Sequence, residues 1–314
     1  MNILFLNKFN AYWKAKFYKL KEEFPDANFT ATYNPSERAE ALKKADAVVC
    51  GRLSEDEIKN SPNIKIIFIP FTGLDNFPLE LIKQKKIIIS NTHANANIVA
   101  EHAVALAFAL LGRIPEFHND LKKGFWHRSI EGKDMWTTIQ GKTIGIIGFG
   151  HIGNCIAKFL KPFGCKIIGF KKYIKNEKYE NADEVSTDLQ YVINKSAVVF
   201  VCLPLNSETK NIINADILKN MKGKYLINVG RGETVNEEGL YNSLKEEILA
   251  GAALDVWYNY PGKNKEPFFP SSKPIYDLPN VILSPHKSSH TTEAINAMID
   301  DTFENIRAYI KRKI

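Results

Sequence analysis

Short, continuous apolar runs alternate along this chain with segments of helical period, and no other property narrows its fold as far. The runs are Asn2–Leu6, Ala47–Cys50, Lys65–Ile69, Ile87–Ser90, Thr143–Ile147, Lys166–Phe170, Ala197–Leu203, Tyr225–Val229, Gly251–Val256 and Val281–Leu283. Most are unbroken rather than alternately apolar and polar. That is the pattern of strands covered on both faces, hence of parallel sheets between layers of helices. Helical spacing over residues 11–24, 35–44, 98–117, 152–162, 236–248 and 291–312 supplies the covers. The expected fold class is α/β with two doubly wound parallel sheets. A chain of 314 residues suits about two domains, each able to bury a core. With 45% hydrophobic residues it is too apolar to be disordered, and 18 Gly and 14 Pro are too few for a collagen-like or low-complexity sequence.

Two stretches interrupt the alternation. Residues 118–141 carry Gly124, Gly132 and Gly141 without periodicity and read as an irregular connection, and residues 258–280, with Pro261, Pro267, Pro270, Pro274 and Pro279, read as a loop. No segment reaches the ~18 uninterrupted apolar residues of a membrane helix, so no membrane association is expected. Asn7 and Lys8 break the apolar start too early for a signal peptide. Cys50, Cys155, Cys165 and Cys202 have no CxxC spacing, which predicts reduced thiols of a cytoplasmic protein and no metal site. The net charge of +7 is scattered. The lysine-rich pieces Lys122-Lys123, Lys171-Lys172 and Lys311–Lys313 are short and lack interleaved aromatics, so a nucleic-acid partner is not expected. A small anionic ligand is the sharper reading of that charge.

The strongest local signal is Gly148-Phe149-Gly150-His151-Ile152-Gly153, a GxGxxG between the strand Thr143–Ile147 and an apolar-periodic segment opening at Ile152. Glycines there permit a tight turn, close approach to a pyrophosphate and close helix–strand contact, while the helix N-terminus offers free N–H groups to phosphate. This predicts dinucleotide binding. An NAD site places Asp or Glu at the end of the next strand, about 20 residues on, to hold the ribose diol. Here Ile167-Ile168-Gly169-Phe170 is followed by Lys171-Lys172, and the first carboxylate is Glu177. Lysine attracts a 2′-phosphate that a carboxylate would repel. NADP(H) is therefore the expected cofactor, with NAD(H) as the alternative.

Further stretches assemble into a familiar order. They are Phe71-Thr72-Gly73-Leu74-Asp75-Asn76, Asn91-Thr92-His93-Ala94-Asn95 with Val99-Ala100-Glu101-His102, Gly141–Gly148, Leu203-Pro204-Leu205 with Thr209, Asn228-Val229-Gly230-Arg231-Gly232, Ala253-Leu254-Asp255-Val256 and Ser284-Pro285-His286. The chain resembles the D-isomer-specific 2-hydroxyacid dehydrogenases, which include glyoxylate/hydroxypyruvate reductases and phosphoglycerate dehydrogenases. The resemblance implies a Rossmann cofactor domain, residues 98–285, inserted into a flavodoxin-like substrate domain built from residues 1–97 and 286–314. It also implies a reaction cleft between the domains and a homodimer. On the cofactor side it adds Leu203, Pro204, Thr209, Val229, Gly230 and Asp255 to the cradle residues Gly148, Gly150, His151, Ile152 and Gly153 and to the strand-end pair Lys171 and Lys172. On the substrate side it implies Thr72, Gly73, His93, Asn95 and Arg231.

Hydride transfer to a 2-oxo acid requires a group for the carboxylate, one to polarise the carbonyl and one to supply the hydroxyl proton. Arg231 suits the first two, through a planar fork and a permanent charge. His286 suits the third, because imidazole ordinarily titrates near ~6.5. The family usually pairs this histidine with a Glu, but five residues past Asp255 stands Tyr260. Glu266 in the same loop offers a second register. Tyr260 can orient the ring but brings no charge, so reduction is expected to lose rate at lower pH than in relatives with the carboxylate. Substrates of the phosphoglycerate or formate class, and a non-catalytic dinucleotide sensor, are the competing readings. The presence of both Arg231 and His286 argues against the sensor.

Overall fold

The computed structural model describes residues 1–174, 179–262 and 267–312. They divide into two compact units, Met1–Asn95 with His290–Ile314, and Ala96–Ser289.

The terminal unit is built on five parallel strands: β1 (Asn2–Phe5), β2 (Asn28–Ala31), β3 (Ala47–Val49), β4 (Ile66–Ile69) and β5 (Ile88–Asn91). Their order is β2-β1-β3-β4-β5, the flavodoxin-like arrangement. Successive side chains of a strand point to opposite faces. Phe5 and Phe68 join Trp13, Phe17 and Phe303 on one face, while their neighbours Leu4 and Ile67 join Leu42, Val48 and Ile82 on the other. Both faces are thus buried, which is why β1 and β4 read as unbroken apolar runs. The helix Thr292–Lys311 packs beside Ala11–Glu23 in this unit, and Arg307 holds Glu23 at 2.6 Å.

The inserted unit has seven parallel strands: β6 (Thr143–Ile147), β7 (Lys166–Phe170), β8 (Glu184–Ser186), β9 (Val198–Val201), β10 (Tyr225–Asn228), β11 (Gly251–Leu254) and β12 (Val281–Leu283). The order β12-β11-β10-β9-β6-β7-β8 is the Rossmann order extended by one strand, with its reversal between β6 and β9. Helices Ala96–Leu111 and His151–Leu160 cover one face through Ala103, Ala107, Ile156 and Ala157. Helices Leu189–Lys195, Ala215–Lys219 and Glu237–Lys245 cover the other through Val192, Leu218, Leu240 and Leu244.

Several sequence expectations need correction. Strands β2 and β8 were absent from them because edge strands have little to bury; only Phe29 of β2 is buried. The helix expected over 98–117 is two helices, Ala96–Leu111 and Ile114–Lys122. Arg113 breaks it with a left-handed φ of 50°, and Pro115 lies in the first turn of the second helix. Regular structure therefore enters the stretch expected to be irregular. Finally, Ala96 opens a helix of the inserted unit, and residues 286–289 stay with that unit rather than with the terminal segments. A buried carboxylate, Asp255, holds the backbone there.

Candidate active site

Each glycine of the cradle meets a different steric demand. Gly148 turns the chain after β6 at φ 99°, and an added Cβ would lie 3.0 Å from the Cys202 carbonyl carbon. Only glycine takes that conformation freely. A Cβ on Gly153 would lie 2.6 Å from the Gly148 oxygen and 2.9 Å from Ile146 Cγ2, so the helix His151–Leu160 rests directly on its strand. A Cβ on Gly150 would meet nothing within 4 Å. It would instead fill open space at the helix N-terminus, where unpaired N–H groups favour phosphate. His151 is exposed in the first helical position and Ile152 is half-buried. The cradle therefore fits a dinucleotide.

At the end of β7, Lys171 N–H donates to the Ser186 carbonyl at 3.1 Å and its ammonium lies 4.7 Å from the Tyr179 ring centre. Lys172 forms an ion pair with Glu208 in the loop beyond β9, which raises its pKa. Sequence reasoning missed Glu208, whose partner lies 36 residues away. Glu177 falls outside the described residues. In the same loop Thr209 donates to the Pro204 carbonyl at 2.6 Å and receives Asn206 N–H at 2.9 Å, fixing the bend that follows Leu203.

The segment beyond β10 is held on both sides. Asn228 accepts from Gly230 N–H and donates to the Arg231 carbonyl, both at 3.0 Å. A Cβ on Gly230 would lie 2.5 Å from the Leu203 oxygen, and one on Gly232 would lie 2.3 Å from the Trp257 oxygen. Arg231 thus stands between two backbone contacts that no larger residue permits. Its guanidinium is half-buried and donates to the Gly230 carbonyl at 2.7 Å. Val229, two residues earlier, is buried.

Beyond β11 and β12 the organising group is Asp255, fully buried. Its carboxylate accepts from the Ser284 hydroxyl, from Lys287 N–H at 2.8 Å and from Ser288 N–H at 3.1 Å. Between Ser284 and Lys287 the chain places His286 at φ 56°, a left-handed conformation that costs a non-glycine residue about 1–3 kcal/mol. His102, from the helix Ala96–Leu111, lies with Nε2 3.0 Å from Ser284 Oγ. Trp257 Nε1 donates to the Ser284 carbonyl at 2.8 Å, and Trp257 N–H donates to Tyr260 Oη at 3.1 Å. The Tyr260 ring faces His286, with centroids 5.5 Å apart and planes tilted by 54°. Tyr260 therefore packs its ring beside the histidine, while its oxygen accepts from Trp257 N–H. Glu266 lies outside the described residues. His102 entered the sequence reading only as part of a motif; its signal is a polar side chain in a helix otherwise rich in Ala, Val and Leu.

The substrate-side residues of the terminal unit follow β4 and β5. Thr72 donates its hydroxyl proton toward the Thr92 carbonyl at 3.0 Å and lies 3.1 Å from Asn95 Oδ1, while Asn91 Nδ2 reaches the Thr72 carbonyl at 2.9 Å. These bonds tie the loops carrying Gly73 and His93 to each other. All four cysteines are unpaired. Burial pushes the Cys50 and Cys202 thiols up to about 12, far from nucleophilic use. Among the described residues no cluster of metal-ligating side chains occurs, and no single helix is long and apolar enough to cross a membrane.

Known proteins resemble this chain over most of its length. The family model "D-isomer specific 2-hydroxyacid dehydrogenase, NAD binding domain" matches residues 104–288. A glycerate dehydrogenase of Methylorubrum extorquens is 31% identical over 293 residues, spanning 91% of this chain and 89% of the relative. A glyoxylate reductase of Pyrococcus furiosus is 32% identical over 284 residues, spanning 88% and 82%. Among solved structures, the NADPH-dependent glyoxylate/hydroxypyruvate reductase of Sinorhizobium meliloti, in complex with NADP and malonate, superimposes with a TM-score of 0.76 at 25% identity, over 98% of this chain and 93% of that one. With its Rossmann cradle, its NVGRG segment and relatives matched over nearly the whole length, this chain belongs to the D-isomer-specific 2-hydroxyacid dehydrogenase family of enzymes.

Proposed function

We propose that the enzyme reduces a small 2-oxo acid of the glyoxylate or hydroxypyruvate class, with NADPH preferred to NADH. The observation that carries this reading is the pair Arg231 and His286, each on a turn at the carboxyl edge of one sheet and each fixed by buried groups. When bound, the cofactor supplies the hydride that the 2-oxo carbon accepts. Arg231 holds the substrate carboxylate in its planar fork and stabilises charge growing on the carbonyl oxygen. His286 gives that oxygen its proton, and takes it back in the oxidation of the 2-hydroxy acid. Thr72, Gly73, His93 and Asn95 are assigned to substrate binding. Gly148, Gly150, Gly153 and the Leu203–Thr209 bend are assigned to the dinucleotide, and the ring of Tyr260 to bracing His286.

The NADP(H) preference is supported by the absence of a carboxylate at the end of β7 and by Lys171. Glu208 neutralises much of Lys172, so Lys171 is the main candidate for the 2′-phosphate. The experiment is the loss of reduced-nicotinamide absorbance with glyoxylate, hydroxypyruvate and bulkier 2-oxo acids, with each cofactor in turn. NADPH should give the higher kcat/KM, and Lys171→Ala should lower the NADPH:NADH ratio about tenfold, the worth of one charge-assisted contact. A clear preference for NADH would overturn the assignment.

The homodimer is supported by the segment after the helix break. The helix Ile114–Lys122 buries none of its residues, and Phe125, Trp126, Ile130 and Trp136 are all more than half exposed. Such a patch on a soluble chain is characteristic of an interface. His127 pins this arm by placing Nε2 3.0 Å from Asp120 and Nδ1 3.0 Å from Asp134. Both ring nitrogens face carboxylates, and the pKa of His127 is raised, chiefly by Asp120. That of Asp134 is lowered, chiefly by Ser129 N–H. A raised histidine pKa contributes stability below its unfolded pKa and loses it as pH rises through the folded one. A lowered carboxylate pKa contributes stability above its unfolded value and loses it on acidification. The arm should be best ordered in mildly acid solution, between the ordinary carboxylate and imidazole ranges, so sedimentation is expected to show a dimer there that weakens as pH rises through the raised His127 value. His127→Ala should remove that dependence on rising pH. The four unpaired thiols support a reducing, cytoplasmic setting.

A further inference from the structure

His286 occupies a conformation that a non-glycine residue leaves unless its surroundings hold it. Three protein groups meet at the neighbouring Ser284. Its hydroxyl touches the buried carboxylate of Asp255, its carbonyl receives Trp257 Nε1, and Oγ lies 3.0 Å from His102 Nε2. We propose that His102 is a positioning residue for His286, acting through Ser284 and Asp255. The inference rests on the reading of His286 as the acid–base group.

A serine hydroxyl has one proton to give and lone pairs to receive. The Asp255 carboxylate is the stronger acceptor, so the Ser284 proton points there. A lone pair of Oγ then faces His102, and Nε2 must carry the proton between them. The direction of donation is His102 to Ser284 to Asp255. The carboxylate in turn receives Lys287 N–H and Ser288 N–H, the two residues directly after His286. Each added donor polarises the next bond in such a chain. His102 also comes from the helix Ala96–Leu111, whose neighbouring Ala103 and Ala107 are fully buried against the sheet. It therefore gives the turn a reference point in the core.

The ring that packs beside His286 leads to the same junction. Tyr260, whose ring faces His286, accepts Trp257 N–H through its oxygen, and Trp257 reaches Ser284 through its indole. Removing the His102 donor leaves a buried lone pair on Ser284 unpaired, weakens the Ser284–Asp255 bond that it polarised, and so loosens the clamp on the backbone after His286. A glutamine at position 102 can still donate from its amide; a leucine of similar bulk cannot.

The test compares His102→Leu, His102→Gln and Ser284→Ala in the full-length enzyme. With saturating NADPH and glyoxylate, His102→Leu should lower kcat about tenfold while KM for glyoxylate stays within about twofold, the size of effect a coupled network transmits. His102→Gln should recover most of the loss, and Ser284→Ala should reproduce it. A second readout needs no turnover. In spectra of ¹⁵N-imidazole-labelled enzyme without ligands, the His286 signals, assigned by their disappearance in His286→Asn, should shift and broaden in His102→Leu and return in His102→Gln. Unchanged His286 signals and unchanged kcat in His102→Leu would overturn the relay. So would equal losses in the Leu and Gln variants, which would mark a purely steric role. If the wild-type enzyme reduces no 2-oxo acid, the functional reading fails by itself, and the imidazole spectra still decide the relay.

Discussion

His286→Asn should leave the enzyme able to bind its nucleotide and almost unable to turn over. Asparagine is the informative replacement because it tolerates the left-handed backbone that His286 adopts at φ 56°. The turn clamped by Asp255 should survive, and the loss can be attributed to the missing proton donor. General acid–base catalysis contributes roughly 10²–10⁴-fold, so kcat for 2-oxo acid reduction should fall within that range. Nucleotide affinity, followed by quenching of tryptophan fluorescence, should change little. The pH–rate profile should also lose the limb that reports the acid. A variant that kept kcat within a few fold of wild type would remove His286 from the chemistry.

Arg231→Ala should be nearly as damaging, with a different signature. Loss of a group that binds the ground-state carboxylate raises KM, and loss of its support for the growing oxyanion lowers kcat. About 10²–10³-fold in kcat/KM is expected from removing a preorganised electrostatic donor. Arg231→Lys should restore only part of it, because an ammonium retains the charge but not the planar two-pronged fork. The segment itself should stay in place, since Asn228 and Thr234 hold the Arg231 carbonyl rather than its side chain. The check is steady-state kinetics with varied 2-oxo acid, alongside thermal unfolding. A normal KM and kcat in the alanine variant would assign the carboxylate to another group.

Sequence revealed those parts of the molecule whose cause is local. Continuous apolar runs disclosed β1 and β4 because Leu4 and Phe5, or Ile67 and Phe68, are buried on opposite faces. The strand Asn28–Ala31 left no such trace, since it pairs at the sheet edge and buries a single side chain. Helices such as Glu55–Lys59 and Ala215–Lys219 are too short to show a period. The same division runs through the site. The cradle glycines and the Arg231 segment are contiguous, so their spacing could be read. The bond from His102 to Ser284 spans 182 positions, and Lys172 meets Glu208 across 36. Only the folded sheet, which brings distant strand ends to one edge, makes those pairs neighbours.

The return of the helix Thr292–Lys311 to the terminal unit bears on the order in which the chain can mature. Phe303 stacks on Phe5 at 5.8 Å, and Ile306 and Ile310 share that core with Trp13 and Phe17. The ribosome delivers Phe5 first and Phe303 almost three hundred residues later, a delay of about 15–60 s at ordinary elongation rates. During that interval one face of the first sheet is covered only in part, by the helix Ala11–Glu23, whereas the inserted unit is synthesised without interruption and can close its own core. The earliest strands to emerge should therefore be the last to be sealed. Chaperone dependence and aggregation during synthesis should reside in them rather than in the nucleotide-binding unit.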